Sequence, residues 1–536
     1  MILSRARASS FLIMLTLMFA SIVAPSRADA EITAFKQAVA EESSKSKAVA
    51  EFYRARNFEP IWTQKGGQDA ARRAALLQAI SNAGVHGLPV ARYDLDTVKN
   101  GLREVNSQRE LGHLEVKLSR LFLRYAHDLS SGVVTPSKVD SGIVRKVPRY
   151  NSTKMLEAFA KSSPAGFLKN LAPKDPEYLR LTKEKLRLEK IIDNGGWGEQ
   201  VPSQKLEPGD SGRGVVALRN RLIAMGYLKR TASQAYDVNM QKAVQQFQLA
   251  HGLASDGVAG SGTIAEVNQG PQDRLKSVMV AMERERWLNR LERGERHVWV
   301  NITDFHARII DDGKVTFETR SVVGKNTEDR RTPEFSDVME HMVINPTWNV
   351  PRSIAVKEYL PMLKKNPNAV SHLRLINSRG QIVSRANKDF NQYTQRSFPY
   401  AIKQPPSQSN ALGLVKFMFP NSHNIYLHDT PQKNLFGRES RAFSHGCIRL
   451  RDPQDFAFAL LARQEADPEG YFKARLNTGK ETTVPLKQTV PVHIVYRTAI
   501  SDPKGQMNYR RDVYGRDAKI FEAMMNAGVS LREVRS

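Results

Sequence analysis

The hydrophobic period changes once along this 536-residue chain, and that change restricts it to helical domains followed by a β domain. Up to about residue 290, apolar residues recur at helical spacing. Leu114, Leu118, Leu121, Tyr125 and Leu129 form one stripe, with Gly132 as its C-terminal cap. Leu275, Met279 and Met282 form another over 271–290. Beyond it Val298, Val300 and Ile302 alternate with Trp299 and Asn301, which is strand periodicity. Asp311-Asp312-Gly313, between Ala307–Ile310 and Val315–Thr319, predicts a hairpin. Val338–Ile344, Asn424–His428 and Val492–Thr498 read as further strands. A polar, basic, proline-containing stretch over 360–410 interrupts them, and insertions of that length are often functional, as lids are. The expected fold class is multidomain α+β: a helical scaffold over 31–200, a small helical unit over 206–268 and a connecting helix over 271–290. A mostly β domain follows over 296–500, with a capping insertion at 360–410 and a C-terminal extension at 501–536.

The N-terminus predicts the compartment. Arg5 and Arg7 precede an apolar run from Phe11 to Ala24, and Ala28-Asp29-Ala30 is a small-x-small cleavage site. This is the pattern of a secretory signal cleaved after Ala30, and the apolar run is short for a bilayer span. An uncleaved anchor is the competing reading. The expected product is an exported, periplasmic protein with no stable membrane insertion after cleavage. Lys and Arg number 80 against 55 Asp and Glu, a net charge of +25, so an acidic partner is expected. An exported protein rarely meets nucleic acid, which leaves the polyanions of the cell envelope. The one cysteine, Cys447, excludes an internal disulfide, a zinc ribbon and an iron–sulfur cluster, all of which need several thiolates.

Residues 206–268 read as a compact helical unit. Asp210 and Ser211 offer an N-cap, Val215, Leu218, Leu222 and Met225 share a helix face, and Gly226-Tyr227 ends that helix. Ala243, Val244 and Phe247 lie on a second helix, with Gly252 past its end. The string Leu206–Asp210, Leu222–Tyr227, Tyr236-Asp237, Ala243–Gln248 and Gly252–Gly260 closely resembles a peptidoglycan-binding domain of the three-helix type. That resemblance implies a wall-binding groove.

The chemistry is concentrated around the lone cysteine. A single Cys without context is more often an inert buried residue than a nucleophile. Here it sits in Ser444-His445-Gly446-Cys447-Ile448-Arg449, a short polar segment. Gly446 lets a substrate carbonyl approach the backbone. N–H groups around Gly446 and Cys447 are placed to bind an oxyanion. A thiol is only slightly ionised at neutral pH and needs a base. His423, His428 and His445 are the neighbouring candidates. Strand alternation favours His428: if Ile425 and Leu427 face a core, Tyr426 and His428 face the opposite way and line the site. His445 is read as a residue that shapes the turn. Zinc competes, because His423, His428, His445 and Cys447 supply enough donors for one ion. However, no helical His-x-x-x-His pair and no supporting carboxylate stands out, so no metal or other cofactor is expected.

His428, fifteen intervening residues and then Ser444-His445-Gly446-Cys447 resemble the catalytic signature of L,D-transpeptidases with the YkuD-type fold. Val323-Gly324-Lys325, Thr332-Pro333, Asn345–Pro351 and Ala411–Gly413 through Phe419-Pro420 extend the match. Arg449 stands where the family's commonest motif has Asn. The helical region, the wall-binding unit and the 360–410 insertion together resemble the large periplasmic YcbB-like branch. The resemblance implies that Cys447 is the nucleophile and His428 its base. It implies attack on the third residue of a donor tetrapeptide stem, a thioester, and transfer to the amine of a second stem as a 3→3 cross-link. It implies that His428 is oriented by a backbone carbonyl near Asp429; the Asp429 carboxylate is the alternative. Tyr426, Ser444, Arg449 and Trp348 are candidate substrate-binding residues, although Trp348 reads equally well as a packed strand aromatic. Lys403 and Lys416 are candidate contacts for stem carboxylates. Carbapenems are expected to acylate Cys447. An L,D-carboxypeptidase and a non-catalytic wall-binding protein are the alternatives.

Overall fold

The computed structural model describes residues 27–502 and 504–531. Residues 1–26, which carry the charged and apolar parts of the expected export signal, lie outside the described residues. No helix among the described residues is long and apolar enough to cross a membrane. The described chain separates into two compact units.

The first unit comprises residues 27–74, 96–123 and 151–161, and it is helical. Trp62, Phe122 and Phe159 stack in its core, the two phenylalanine rings 4.3 Å apart. Glu115 is fully buried there, and its carboxylate accepts from the N–H groups of Ile61, Trp62 and Thr63 and from the hydroxyls of Tyr53 and Thr63. A buried charge survives only with such partners, and these tie the chain around Trp62 to the helix that carries Glu115.

The second unit holds the rest. Three helices, Arg213–Met225, Val238–Ala250 and Ser261–Val267, pack Val215, Leu218, Leu222, Val244 and Phe247 into a core of their own. The expected stripe is buried, but the cap is not where the sequence suggested. Gly212 is the N-cap, because Asp210 instead accepts from the Glu207 N–H and Ser211 bridges to Ala235. Helix Pro271–Leu288 is buried on every side from Val278 to Leu288 rather than along one stripe. Its charged residues are accommodated by pairing: Arg284 with Glu334 and Asp517, Arg286 with Glu283, and Arg497 with Glu285.

The β domain is a closed barrel. Its strands are β1 (Arg296–Asn301), β2 (His306–Asp311), β3 (Lys314–Gly324) and β4 (Phe335–Ile344), then, after an insertion with strands of its own, five more. Those of the insertion are β5 (Trp348–Asn349), β6 (Arg374–Ile376), β7 (Ile382–Val383) and β8 (Ala401–Gln404). The later barrel strands are β9 (Val415–Met418), β10 (Leu427–His428), β11 (Ala442–Ser444), β12 (Ile448–Leu450) and β13 (Thr482–Val495). The order β11-β3-β12-β10-β9-β4-β13-β1-β2 is closed by pairing of β2 with β3. The β2–β3 turn has Asp312 at φ 51° and Gly313 at φ 76°, the two left-handed residues that a tight hairpin requires. Leu427, Phe417, Ile448, Val323 and Phe456 fill the interior.

Three boundaries differ from expectation. The insertion's sheet, order β5-β8-β6-β7, starts at Trp348, ahead of residue 360, and its core of Leu360, Leu375, Phe390 and Ile402 is separate from the barrel's. Residues 501–531 are not an appendage: Tyr514 packs in the barrel core, and Ile520 and Met524 pack against helix Pro271–Leu288. The expected strand Asn424–His428 shrinks to two residues. The Asn421 side chain bonds the backbone of His423 and Ile425 and holds a turn, with Asn424 at φ 54°.

Candidate active site

Strand register brings the site together. β10 runs parallel to β12, with Leu427 opposite Ile448 and His428 opposite Arg449. The Ile448 N–H donates to the Tyr426 carbonyl at 3.1 Å, so Tyr426 lies beside Cys447. Ile425 and Leu427 lie in the barrel core, as the alternation predicts, whereas Tyr426 is half-buried and packs against that core, its ring centroid 5.6 Å from that of His428. The alternation is cut short because only Leu427 and His428 are in strand.

Cys447 is half-buried. Its thiol lies 3.5 Å from the Asn424 carbonyl and is hydrogen-bonded to Tyr426. Burial pushes the thiol up to about 11, against the smaller opposing effects of Tyr426 and the Arg449 charge. His428 is 4% exposed, and burial, with Arg449 next in weight, pulls its imidazole down to about 3. Both groups are therefore neutral at pH 7. His428 Nδ1 is 2.5 Å from the Asp429 carbonyl oxygen. A carbonyl can only accept, so Nδ1 carries the proton and Nε2 keeps its lone pair. The Asp429 carboxylate is occupied elsewhere, by the N–H groups of Leu414 and Thr430 and by the Lys433 ammonium. Of the two groups that the sequence left open, the carbonyl is the one on the ring. Among the described residues no hydrogen bond joins His428 to Cys447; Tyr426 touches both.

The turn before Cys447 is fixed from two sides. Gly446 has φ +119°, a conformation that side chains rarely adopt, and a Cβ there would lie 3.3 Å from Ile425. Its carbonyl accepts from Thr332 Oγ1 at 2.7 Å, and the same hydroxyl accepts from the Gly324 N–H at 2.9 Å. In a trans peptide the N–H points opposite to the carbonyl, so the Cys447 N–H is turned away from Thr332. Ser444 Oγ donates to the Cys447 carbonyl at 2.5 Å and accepts from the Gly446 N–H. His445 does not shape this turn. Its ring reaches out to Glu358 Oε1 at 2.7 Å, on the π-helical turn Ala355–Tyr359 of the insertion, where Glu358 also pairs with Arg330.

The surroundings are cationic. Arg449 bonds Gln432, and its Nε is buried without a partner. Lys416 on β9 lies opposite His428, its own ammonium lowered by burial. Trp348 and Lys403 lie in the insertion's sheet rather than on the strands that carry Cys447 and His428, and Trp348 packs against Tyr359. His423 packs against Phe335, and among the described residues no three His, Cys, Asp or Glu groups are placed to hold a metal ion. Thr332 and Glu358 were not singled out as site residues in the sequence. Thr332 stood in a matching Thr-Pro pair, whereas Glu358 had no local signal, because its partners lie 28 and 87 positions away.

Residues 295–516 match the YkuD family, an L,D-transpeptidase catalytic domain; residues 211–266 match a peptidoglycan-binding domain and residues 47–184 a scaffold domain. A Haemophilus influenzae protein, named provisionally as an L,D-transpeptidase, is 35% identical over 235 residues, 43% of this chain. The match spans 46% of that relative's length. An L,D-transpeptidase structure from Xylanimonas cellulosilytica is 15% identical at TM-score 0.17, over 56% of this chain and 98% of that one. L,D-transpeptidase 1 of Mycobacterium tuberculosis is 14% identical at TM-score 0.15, over 38% and 61%. Scores this low carry no argument about the site. Residues 295–516 therefore belong to the YkuD family of L,D-transpeptidase catalytic domains, carried on one chain with a peptidoglycan-binding domain and a scaffold domain.

Proposed function

We propose that the protein is an exported, periplasmic L,D-transpeptidase that forms 3→3 cross-links in peptidoglycan through a Cys447 thioester. His428 Nε2 takes the Cys447 proton as the sulfur attacks the carbonyl of the third residue of a donor tetrapeptide. The carbonyl becomes an oxyanion, received by the Cys447 N–H that the Thr332–Gly446 bond turns outward. Collapse breaks the bond to the terminal D-Ala, whose amine takes the proton back from His428. The amine of a second stem then attacks the thioester, passes its proton to His428, and sulfur leaves. The cationic surroundings of Arg449 and Lys416 suit the carboxylates of both stems.

The observation that supports this reading is the Asp429 carbonyl on His428 Nδ1, because it leaves Nε2 free to act as a base beside Tyr426, which hydrogen-bonds the Cys447 thiol. The test is incubation of the purified chain with tetrapeptide muropeptides and resolution of products by mass. Cross-linked dimers lacking one D-Ala are expected, along with loss of all product in Cys447→Ala. Tripeptides alone would mean that water is the acceptor and the enzyme is a carboxypeptidase. Unchanged product in Cys447→Ala would end the thioester mechanism. Carbapenem is expected to add its mass to the native chain and not to Cys447→Ala.

A further inference from the structure

A cavity of about 620 Å³ lies between the three-helix bundle and the barrel, away from the strands that carry His428 and Cys447. One wall is the end of the bundle's second helix, at Leu249, His251 and Leu253. The opposite wall is the β1–β2 turn at Asp304 and Phe305, with β2, β3 and the segment Glu439–Arg441 that leads into β11. Arg510 and Arg511 close it from the C-terminal segment. The volume is that of a small-molecule site.

Its charges do not balance locally. Arg320, Arg441 and Arg510 all face the cavity, and among the described residues none of them forms an ion pair. Arg441 is 7% exposed and donates only to backbone carbonyls, those of Asp304, Phe305, Ser321 and Arg438. Arg510 donates to the carbonyls of Ala250 and Tyr509, and Arg320 to that of Phe436. The acidic residues of the cavity are already engaged. Asp304 is held by Arg308 and His306, and Glu318 by Arg308. Glu439 accepts from the Ala254 N–H, and Asp512 bonds Tyr496 and the Ala518 N–H. Burial and the like charge of Arg320 depress Arg441 to about 10, against the opposing pull of the Asp304 carboxylate. Phe305, whose ring lies under the Arg441 guanidinium, has φ +56°, a strained conformation for a bulky residue. A buried guanidinium such as that of Arg441 is costly until an anion joins it. Leu249, Leu253, Phe305 and Val513 give the same cavity an apolar lining.

We propose that this cavity is a second binding site, for a carboxylate-bearing peptide such as a peptidoglycan stem. It would hold one wall strand between the wall-binding bundle and the barrel while another occupies the Cys447 site. The choice of stem peptide over other anions rests on the function proposed above. Methyl groups and carboxylates in one ligand match the mixture of leucines and guanidinium groups in the lining. Because Arg441 immediately precedes β11 and stands six residues before Cys447, occupancy is positioned to be felt there.

The test uses the full chain carrying Cys447→Ser, so that nothing turns over, and titrates it calorimetrically with a disaccharide tetrapeptide. Two sites per chain are expected. In Arg320→Glu, which alters an exposed residue with a single carbonyl bond, one site is expected to be lost or weakened at least tenfold. Glu318→Gln, which removes one carboxylate from the cavity wall and leaves Arg308 paired with Asp304 alone, is expected to tighten that site about threefold. The same peptide with its carboxylates amidated is expected to occupy the cavity at least tenfold more weakly. One site per chain, unchanged by either variant, overturns the cavity proposal and leaves the transpeptidase intact; no binding at all overturns both. Inorganic phosphate is the other arm: if it binds in an Arg320-dependent way and the muropeptide does not, the ligand is a phosphate and the stem assignment is overturned.

Discussion

At the residue scale, the pair Cys447 and His428 is neutral at rest, and this sets its pH behaviour. His428 is pulled down to about 3 and Cys447 pushed up to about 11, each mainly by burial. A pre-formed thiolate–imidazolium pair would need the opposite shifts. In the proposed mechanism proton transfer therefore accompanies attack, and the imidazole would be a competent base at every pH above its own pKa. The acylation rate, measured as kcat/KM for loss of D-Ala or for carbapenem acylation, is expected to be flat between about pH 5 and 9. An inflection near the ordinary histidine value would show that the imidazole titrates there and would refute the neutral pair. Tyr426 offers a second check. Its hydroxyl bonds the thiol and counteracts part of the upward push from burial. Tyr426→Phe is expected to slow iodoacetamide alkylation of Cys447 and carbapenem acylation about tenfold, the equivalent of one charge-assisted hydrogen bond. Unchanged alkylation would mean that the hydroxyl does not act on the sulfur.

At the element scale, the turn before Cys447 is held by an anchor outside its own segment. The Thr332 hydroxyl bridges the Gly446 carbonyl and the Gly324 N–H, both buried. Thr332→Val keeps the shape and leaves those two groups unpaired, a cost of about 1–3 kcal/mol. The larger expected effect is on chemistry: kcat falls about 10–100-fold with KM nearly unchanged, because the Cys447 N–H loses its direction and the pocket does not. Thr332→Ser restores the bond and most of kcat. A fall in KM and kcat together, or no rescue by Ser, would make Thr332 a packing residue only. This anchor also shows where sequence reading stops. The hairpin at Asp312-Gly313, the three-helix unit, and the burial of Ile425 and Leu427 are local patterns, legible without coordinates. The orienting carbonyl of Asp429 and the bond from His445 to Glu358 are not, because they depend on where a carboxylate is already engaged and on which distant element arrives. The shortened strand before His428 was hidden for a smaller reason, since the Asn421 side chain competes with the ladder for backbone groups. Burial on every side of the helix from Val278 to Leu288 was invisible because its charged residues imitate a solvated face.

At the scale of the whole molecule, stability in the second unit depends on groups that must keep one protonation state while buried. Glu334 is 1% exposed and accepts from Arg284 and Arg516, which in turn reach Asp517 and Asp140. These contacts tie the helix Pro271–Leu288, the barrel and the C-terminal helix into one network. Glu334→Gln leaves two buried guanidinium groups short of charge and is expected to cost about 3–5 kcal/mol in denaturant unfolding; a loss under about 1 kcal/mol would show that the network carries little stability. Acid sensitivity follows from the same burial. His86 and His493 are held near 4, His428 near 3 and His251 well below its usual 6.5, in each case by burial first. Their folded pKa values lie below the unfolded one, so the unfolded chain takes up protons that the native chain refuses. Stability is therefore complete above about 6.5 and falls as the pH drops from there toward 4, by about 1.4 kcal/mol per pH unit for each such histidine at full slope. Asp517 runs the other way: raised to about 6, it takes up a native proton between that value and its unfolded 3.8, which offsets one histidine. His493 isolates the effect. Its ring nitrogens bond Ser336 Oγ and the Arg293 carbonyl, a pair of contacts that a glutamine amide reproduces without a titrating proton. His493→Gln is expected to leave stability at pH 7.5 within about 1 kcal/mol and to flatten the decline below 6.5 by one histidine's share. Urea midpoints from pH 7.5 to 4.5 decide it. If the two chains lose stability in parallel, His493 is already free to protonate in the native state, and the account of acid sensitivity through buried neutral imidazoles fails.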